Sequence, residues 1–396
     1  RMIREFGLDS RPGVAVQVPE AAQDSELGLA HTAEYIRAVR AVSEDPGKEI
    51  AECGLGTEDT PGYAGIHEAS ARLAGGTLQA SQALLDGSAV RAVNFSGGMH
   101  HAFADRASGF CVYNDCAVGI HRLLEGGVSR VLYLDVDGHH GDGTQWIFFE
   151  EPRVLTCSVH ETGRYLFPGT GGMAERGVGA AEGTSINVPL PPRTTADGWV
   201  RAIRATVPAL VRAVRPTLLV TQHGADTHRS DPLADFSVTL EAQREVMMLM
   251  KELADEVCGG RWLALGGGGY AVIDVVPRSW THLLAVATGE PIDQEWVETR
   301  ARWEAEQAEK RRAEAQAAGE PVEEAAPEME VFYTFRWAPK PRQNRRPQGE
   351  GQGRRGGAPR RDGAQDGPRE PRSERQPDAE RPAQGERQAK GERQDR

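Results

Sequence analysis

The sequence predicts an α/β fold, a single large domain with a mostly parallel sheet flanked by helices on both faces, followed by a disordered C-terminal tail. Three observations predict it. Short runs of β-branched and aliphatic residues alternate with segments of helical period, the signature of strand and crossover helix repeated. Polar or Gly-rich clusters follow these runs, where loops meet beyond the carboxyl ends of parallel strands. Residues 338–396 contain no Val, Ile, Leu, Met, Phe, Trp, Tyr or Cys, so they cannot offset their ordering entropy by burial.

In chain order, Val14 to Val18 is the first run and reads as a buried parallel strand, with Thr32 to Val42 as the helix after it. Val90 to Phe95 precedes a helical stretch at Cys116 to Leu124. Val131 to Leu134 and Val154 to Val159 are the next strands, and Trp199 to Val214 is the next helix. Leu218 to Thr221 pairs with the helix Leu240 to Val257, and Trp262 to Leu265 with Arg278 to Ala287. From about Thr299 the chain turns to Glu/Ala/Arg sequence, an acidic linker that ends in an aromatic segment, Val331 to Trp337, expected to return to the domain. The expected divisions are therefore 1–298, 299–337 and 338–396. Gly-Glu-Arg-Gln occurs twice in the tail, at 385–388 and 391–394, as low-complexity sequence does.

Charge follows the same divisions. The 396 residues carry 46 Lys+Arg and 58 Asp+Glu, net −12. The tail alone holds 16 basic and 10 acidic residues, which leaves 30 basic and 48 acidic in residues 1–337. So acidic a globular part is a poor polyanion binder, whereas Lys340 to Arg361, with eight cations and one Glu, is the place for weak contact with RNA or another polyanion. Five cysteines without CxxC pairing read as free thiols in a reducing cytoplasm. No apolar run is long enough to cross a bilayer and no secretory signal opens the chain. It begins at Arg1 rather than methionine, which leaves room for an upstream segment carrying a first strand or a processed leader.

The densest chemistry is Asp135-Val136-Asp137-Gly138-His139-His140-Gly141-Asp142-Gly143. Alternate residues leaving a strand share a face, so Asp137 and His139 converge, and Asp226 in His223 to Thr227 is a candidate third ligand from another strand end. Two carboxylates, an imidazole and an open position describe a catalytic divalent site, with Zn2+ favoured and Fe2+ as the alternative. His100-His101 after Gly97-Gly98 offers a proton shuttle, and Asp135 and Asp142 are carboxylates able to fix the tautomers of the two rings. Paired histidines alone would read as hydrogen-bonded loop residues; the aspartate cluster reverses that reading. Gly266 to Gly269 lets the backbone come close to a ligand and delivers the Tyr270 hydroxyl toward a developing oxyanion. The run matches neither GxGxxG nor a phosphate loop.

Together these motifs spell a family. Gly97-Gly98-x-His100-His101, Ser108-Gly109-Phe110-Cys111-x-Tyr113-Asn114-Asp115, the Asp135 to Gly143 run, Phe167-Pro168-Gly169-Thr170-Gly171, Gly224-Ala225-Asp226 and Gly266 to Tyr270 occur in order. Over about residues 10 to 290 the chain resembles the zinc-dependent histone deacetylases, of arginase/deacetylase fold. Gly54 to Asp59 and Asp274 to His282 look most like the bacterial acetoin utilization, AcuC-like branch. The resemblance implies a lysine deacetylase with Asp137, His139 and Asp226 as metal ligands. It makes His101 the general base and then acid, His100 its electrostatic companion, and Tyr270 the donor to the acetyl carbonyl. Gly109, Phe110 and Phe167 would line an acyl-lysine tunnel, with Asp59 on its rim holding the substrate backbone. A structural K+ near Asp135, Asp137, His139 and Ser158 is implied too, as is an acetylated protein substrate, an acyl-CoA synthetase among the candidates. Measured against the family, the chain starts after the usual first strand and its early Arg. Competing readings are an acetylpolyamine or other small-amide deacetylase, a binuclear ureohydrolase, and a non-catalytic acyl-lysine or RNA-associated binding protein.

Overall fold

A computed structural model describes residues 1–292 and the backbone of 334–337. The elements are α1 (Met2–Glu5), β1 (Val14–Gln17), α2 (Asp24–Leu27), α3 (Ala33–Glu44), α4 (Ile66–Leu85), β2 (Arg91–Asn94), α5 (Asp115–Glu125), β3 (Val131–Asp135) and α6 (Asp142–Ile147). They continue with β4 (Val154–Glu161), β5 (Ser185–Leu190), α7 (Ala196–Val214), β6 (Leu218–Gln222), α8 (Leu240–Val257), β7 (Trp262–Leu265), α9 (Val276–Ala287) and β8 (Thr334–Trp337). All eight strands form one sheet in the order β1-β8-β2-β7-β6-β3-β4-β5. The six from β2 to β5 run parallel.

Strand alternation divides the core between the two faces. Val131 and Tyr133 of β3, Leu218 and Val220 of β6, and Leu263 and Leu265 of β7 pack with Ile36 and Val39 of α3, Ala74 and Leu78 of α4, and Ile120 and Leu123 of α5. Leu132 and Leu134, Leu219, and Trp262 and Ala264 pack on the other side with Ile203 and Val207 of α7, Met250 and Leu253 of α8, and Leu283 and Leu284 of α9. Burial on both sides is what makes the central strands continuously apolar. Helix starts are set by side-chain caps: Thr32, Asn114, Thr195 and Thr239 accept from the amides of Tyr35, Ala117, Gly198 and Ala242, each worth about 1 kcal/mol.

The first strand departs from expectation. Val14 to Val18 was expected to be buried and parallel, but β1 is the outermost strand, pairs antiparallel with β8, and alternates between half-buried and exposed positions. Besides the short helices α1, α2 and α6, a long helix and an edge strand lie outside the strands and helices the sequence predicted. Helix α4 is rich in Ala, Gly and Ser, small residues that leave little hydrophobic period. Strand β5 contains Pro189 and Asn187 and lies at the far edge of the sheet, where proline is tolerated. Of the expected linker over 299–337, residues 299–333 lie outside the described residues, as does the tail over 338–396.

Register places the chemistry. Across the parallel strands Asn94 lies beside Leu265, Leu265 beside Gln222, Gln222 beside Asp135, and Asp135 beside Ser158. The carboxyl ends of β2, β7, β6 and β3 thus form one row that continues into β4 at Ser158, and every predicted polar cluster lies on it or leaves from it.

Candidate metal centre and active site

Asp137 and His139 leave β3 two residues apart, and Asp226 arrives from the loop after β6. His139 Nδ1 lies 2.9 Å from Asp226 Oδ2 and 3.2 Å from Asp137 Oδ1. Their ligand atoms all fall within 4.8 Å of one another, and all three residues are buried. The remaining carboxylate oxygens are held: Asp137 Oδ2 accepts from Gln222 Nε2 at 2.7 Å and Gly268 N at 2.8 Å, and Asp226 Oδ1 accepts from Gly138 N at 2.7 Å. Gly268 permits this approach, since a Cβ there would collide with the Asp226 carboxylate.

The donor set fits a divalent cation. Burial by itself lowers the pKa of His139, but hydrogen bonds to Asp137 and Asp226 outweigh it and push it up to about 11. Burial, helped by the Asp137 carboxylate, raises Asp226 to about 7. Two buried carboxylates and an imidazole thus crowd one point, where a divalent cation would balance their charge.

Beside this centre stand two imidazole–carboxylate pairs. His100 Nδ1 is 2.8 Å from Asp135 Oδ2, which also accepts from the Tyr133 hydroxyl at 2.8 Å. His101 Nδ1 is 2.7 Å from Asp142 Oδ1. Carboxylates accept, so each Nδ1 carries a proton, and the two Nε2 atoms face each other at 3.2 Å. Burial opposes charge on His100, but Asp135 and Asp137 outweigh it and push its pKa up to about 9. Burial and the neighbouring His100 lower His101. One ring thus holds the proton and the other keeps a lone pair.

Gly109 lies against the His101 ring: at φ +53, a Cβ would crowd both that ring and Phe167. Phe167 stands edge-on to His101 at 5.0 Å between ring centroids. Phe110, at φ +65 and 55% exposed, meets the Tyr270 ring at 6.0 Å. Asp59 Oδ2 accepts from Gly109 N at 2.7 Å, which ties the expected rim residue to an expected wall residue. Burial, then Asp137 and Asp226, holds the Tyr270 hydroxyl well above its usual range, so it stays a proton donor. Ser158 lies beside Asp135, and its hydroxyl is 2.8 Å from His160 Nδ1. The structure thus brings every predicted site residue to this one edge.

Several supporting residues carried no assigned role in the sequence reading. Asp231 Oδ2 accepts from Tyr270 N at 2.8 Å. Asp115 accepts from Gly98 N and Met99 N, fixing the turn before the histidine pair. Asn114 Nδ2 donates to the His100 and Ala102 carbonyls. Gln222 is fully buried at the end of β6 beside Asp135; an amide at the end of an otherwise apolar strand was the available signal.

Comparisons with known proteins agree with this geometry. A family model described as the histone deacetylase domain matches residues 2–287. The chain is 44% identical over 288 residues to the acetoin utilization protein AcuC of Bacillus subtilis (strain 168), covering 71% of this chain and 74% of that protein. It is 39% identical over 274 residues to AcuC of Staphylococcus xylosus, covering 69% and 71%. A crystal structure of a histone deacetylase homologue complexed with SAHA superposes with a TM-score of 0.63 at 30% identity, over 69% of this chain and 73% of that one.

Proposed function

The chain belongs to the histone deacetylase family, with AcuC-like relatives, and from that premise we propose that it removes acetyl groups from lysine side chains of proteins. The observation that supports this best is the pair His101–Asp142, 2.7 Å apart, beside three convergent ligand donors. Asp137, His139 and Asp226 would hold the divalent ion, which we take to be Zn2+ with Fe2+ as the alternative, and which when bound lowers the pKa of water from about 16 toward roughly 7 and polarises a carbonyl.

His101 accepts the water proton at Nε2 while Asp142 holds its Nδ1–H, and later returns a proton to the departing lysine nitrogen. His100, charged and held by Asp135, keeps that proton traffic on His101. Tyr270 donates its hydroxyl proton in a hydrogen bond to the acyl oxygen as negative charge develops. Gly109, Phe110 and Phe167 enclose the lysine stem and exclude water. Asp59 accepts from a substrate backbone amide. Acetate and a free amine leave, which balances the water consumed. A K+ near Asp135 and Ser158, a cytoplasmic location and an acetylated acyl-CoA synthetase as substrate belong to the same proposal.

The test is hydrolysis of acetyl-lysine peptides and of acetylpolyamines by the purified protein, with metal content measured first. Peptide turnover that disappears, together with stoichiometric metal, in Asp226→Ala is the expected result. Turnover of polyamines alone would replace the substrate class. Full metal and activity in that variant would overturn the ligand assignment.

A further inference from the structure

The wall carrying Phe167 belongs to the loop from Thr162 to Glu175, and that loop is tied down by a chain of hydrogen bonds that the reaction does not use. Glu175 Oε1 accepts from the amides of Gly171 at 2.9 Å and Gly172 at 3.0 Å. Its Oε2 accepts from Gln145 Nε2 at 2.7 Å. Gln145 is 2% exposed and sits on α6, three residues after Asp142. Its Oε1 accepts from Asn187 Nδ2 at 2.7 Å and lies 3.0 Å from His140 Nε2. His140 Nδ1 is 2.8 Å from the Thr170 hydroxyl. His160 Nε2 meets the Gly171 carbonyl at 3.1 Å.

Donor and acceptor roles in this chain leave no freedom. A carboxylate only accepts, so the Gln145 amide must turn its NH2 to Glu175 and its oxygen to Asn187 and His140. His140 then donates through Nε2 and accepts the Thr170 hydroxyl at Nδ1. The loop is thereby fixed at Thr170, Gly171 and Gly172, within five residues of Phe167, to the same short helix whose Asp142 orients His101.

We propose that Gln145 and Glu175 form a positioning clamp that holds the Phe167 wall against His101 and so limits the width of the tunnel beside that ring, where the lysine stem meets the acyl group. The clamp rests on the deacetylase reading and deepens it by naming what sets acyl-chain preference. Neither residue touches the reacting atoms. Releasing the clamp lets the wall retreat, which weakens the fit of an acetyl-lysine stem and admits a longer acyl chain.

The experiment uses the full chain, metal-loaded, with Glu175→Gln, Glu175→Ala and the reciprocal swap Gln145→Glu with Glu175→Gln. In the single variants the acceptor for Gln145 Nε2 is lost or turned into a donor. In the swap the pattern is restored with reversed polarity: the carboxylate at position 145 accepts from His140, Asn187 and the new amide, whose oxygen still receives the Gly171 and Gly172 amides. Amide hydrogen exchange over residues 163–172 should rise in both single variants and return toward wild type in the swap. The ratio of kcat/KM for butyryl-lysine over acetyl-lysine peptide should rise about fivefold to tenfold, mainly through a higher KM for the acetyl peptide, the scale expected for one lost hydrogen bond. Unchanged exchange in Glu175→Gln would overturn the clamp. So would parallel loss of acetyl and butyryl turnover, or a folded swap without recovery. A wild-type protein inert on acetyl-lysine would instead sink the deacetylase reading, while the exchange arm would still report on the clamp.

Discussion

Replacing Asp142 by Asn probes the base most directly, because it keeps the shape of the side chain and removes only its charge and one acceptor. In the native pair His101 Nδ1 is 2.7 Å from Asp142 Oδ1, and both residues are buried. An amide NH2 turned to His101 faces an N–H with an N–H, so the ring must move its proton to Nε2, where it can no longer accept one from water. An amide oxygen turned to His101 keeps the tautomer but loses the charge-assisted part of the bond, about 1.5–3 kcal/mol. Through the transition-state relation that is roughly 10–100-fold in turnover. The assay is steady-state hydrolysis of an acetyl-lysine peptide with metal content measured in parallel. We expect kcat to fall in that range with metal stoichiometry and KM nearly unchanged. Wild-type turnover in Asp142→Asn would refute the assignment of His101 as the base, and loss of metal would show that Asp142 supports the ligands instead.

Tyr270→Phe deletes a single hydroxyl whose proton is held well above its usual range; turnover should fall on the order of 10²–10³ with metal binding intact, and a full-rate variant would remove Tyr270 from the mechanism. His31 offers a pH test of the fold: burial between the Tyr35 and Tyr113 rings lowers its pKa to about 4 while its Nε2 accepts from Asn114 N. A depressed folded-state pKa contributes stability that is present above the unfolded value of about 6.5 and lost as pH falls toward about 4, at most about 3 kcal/mol over that window. Urea unfolding from pH 7 to 4 should therefore show a shallower slope in His31→Gln, which keeps an acceptor for Asn114, and an unchanged slope would refute the argument. Deleting residues 338–396 should leave turnover on a short acetylated peptide nearly unchanged and weaken association with RNA or other polyanions in a salt-dependent manner, since the cationic segment lies there; equal retention by the truncated chain would end the nucleic-acid expectation.

The parts of the fold that were legible in the sequence are those buried on both sides. Strands β3, β6 and β7 are apolar until β3 reaches Asp135 and β6 reaches Thr221 and Gln222, because helices cover both faces, and α8 begins and ends where its period begins and ends. Edges were harder. β1 has the composition of a buried strand, yet its alternate residues face solvent and its neighbour is antiparallel, and nothing local distinguishes Val14 or Val16 from a central position. α4 was hidden by the opposite cause. Ala71, Ala74, Gly75, Gly76 and Ser81 are all buried, so small size rather than hydrophobicity lets the helix approach its neighbours. At Gly75 a Cβ would strike the Glu20 carbonyl, which explains why helix propensity was sacrificed there.

The same distinction separates the two halves of the site. Asp137, His139, His100, His101 and Tyr270 were legible as candidates because side chains able to bind a metal or move a proton must be of certain types, and type is what a sequence displays. Asp231, Asp115 and Glu175 were not, because each turns a carboxylate oxygen to backbone amides: Tyr270 N, Gly98 N with Met99 N, and Gly171 N with Gly172 N. An amide exists at every residue except proline, so no residue type marks the partner, and only the folded path of the chain brings donor and acceptor together. These contacts nonetheless fix the three loops that bear Tyr270, the histidine pair and the Phe167 wall. The site is therefore read from its reactive groups but aimed by its backbone contacts, and substitutions at Asp231 or Glu175 should alter geometry and selectivity while leaving the metal ligands in place.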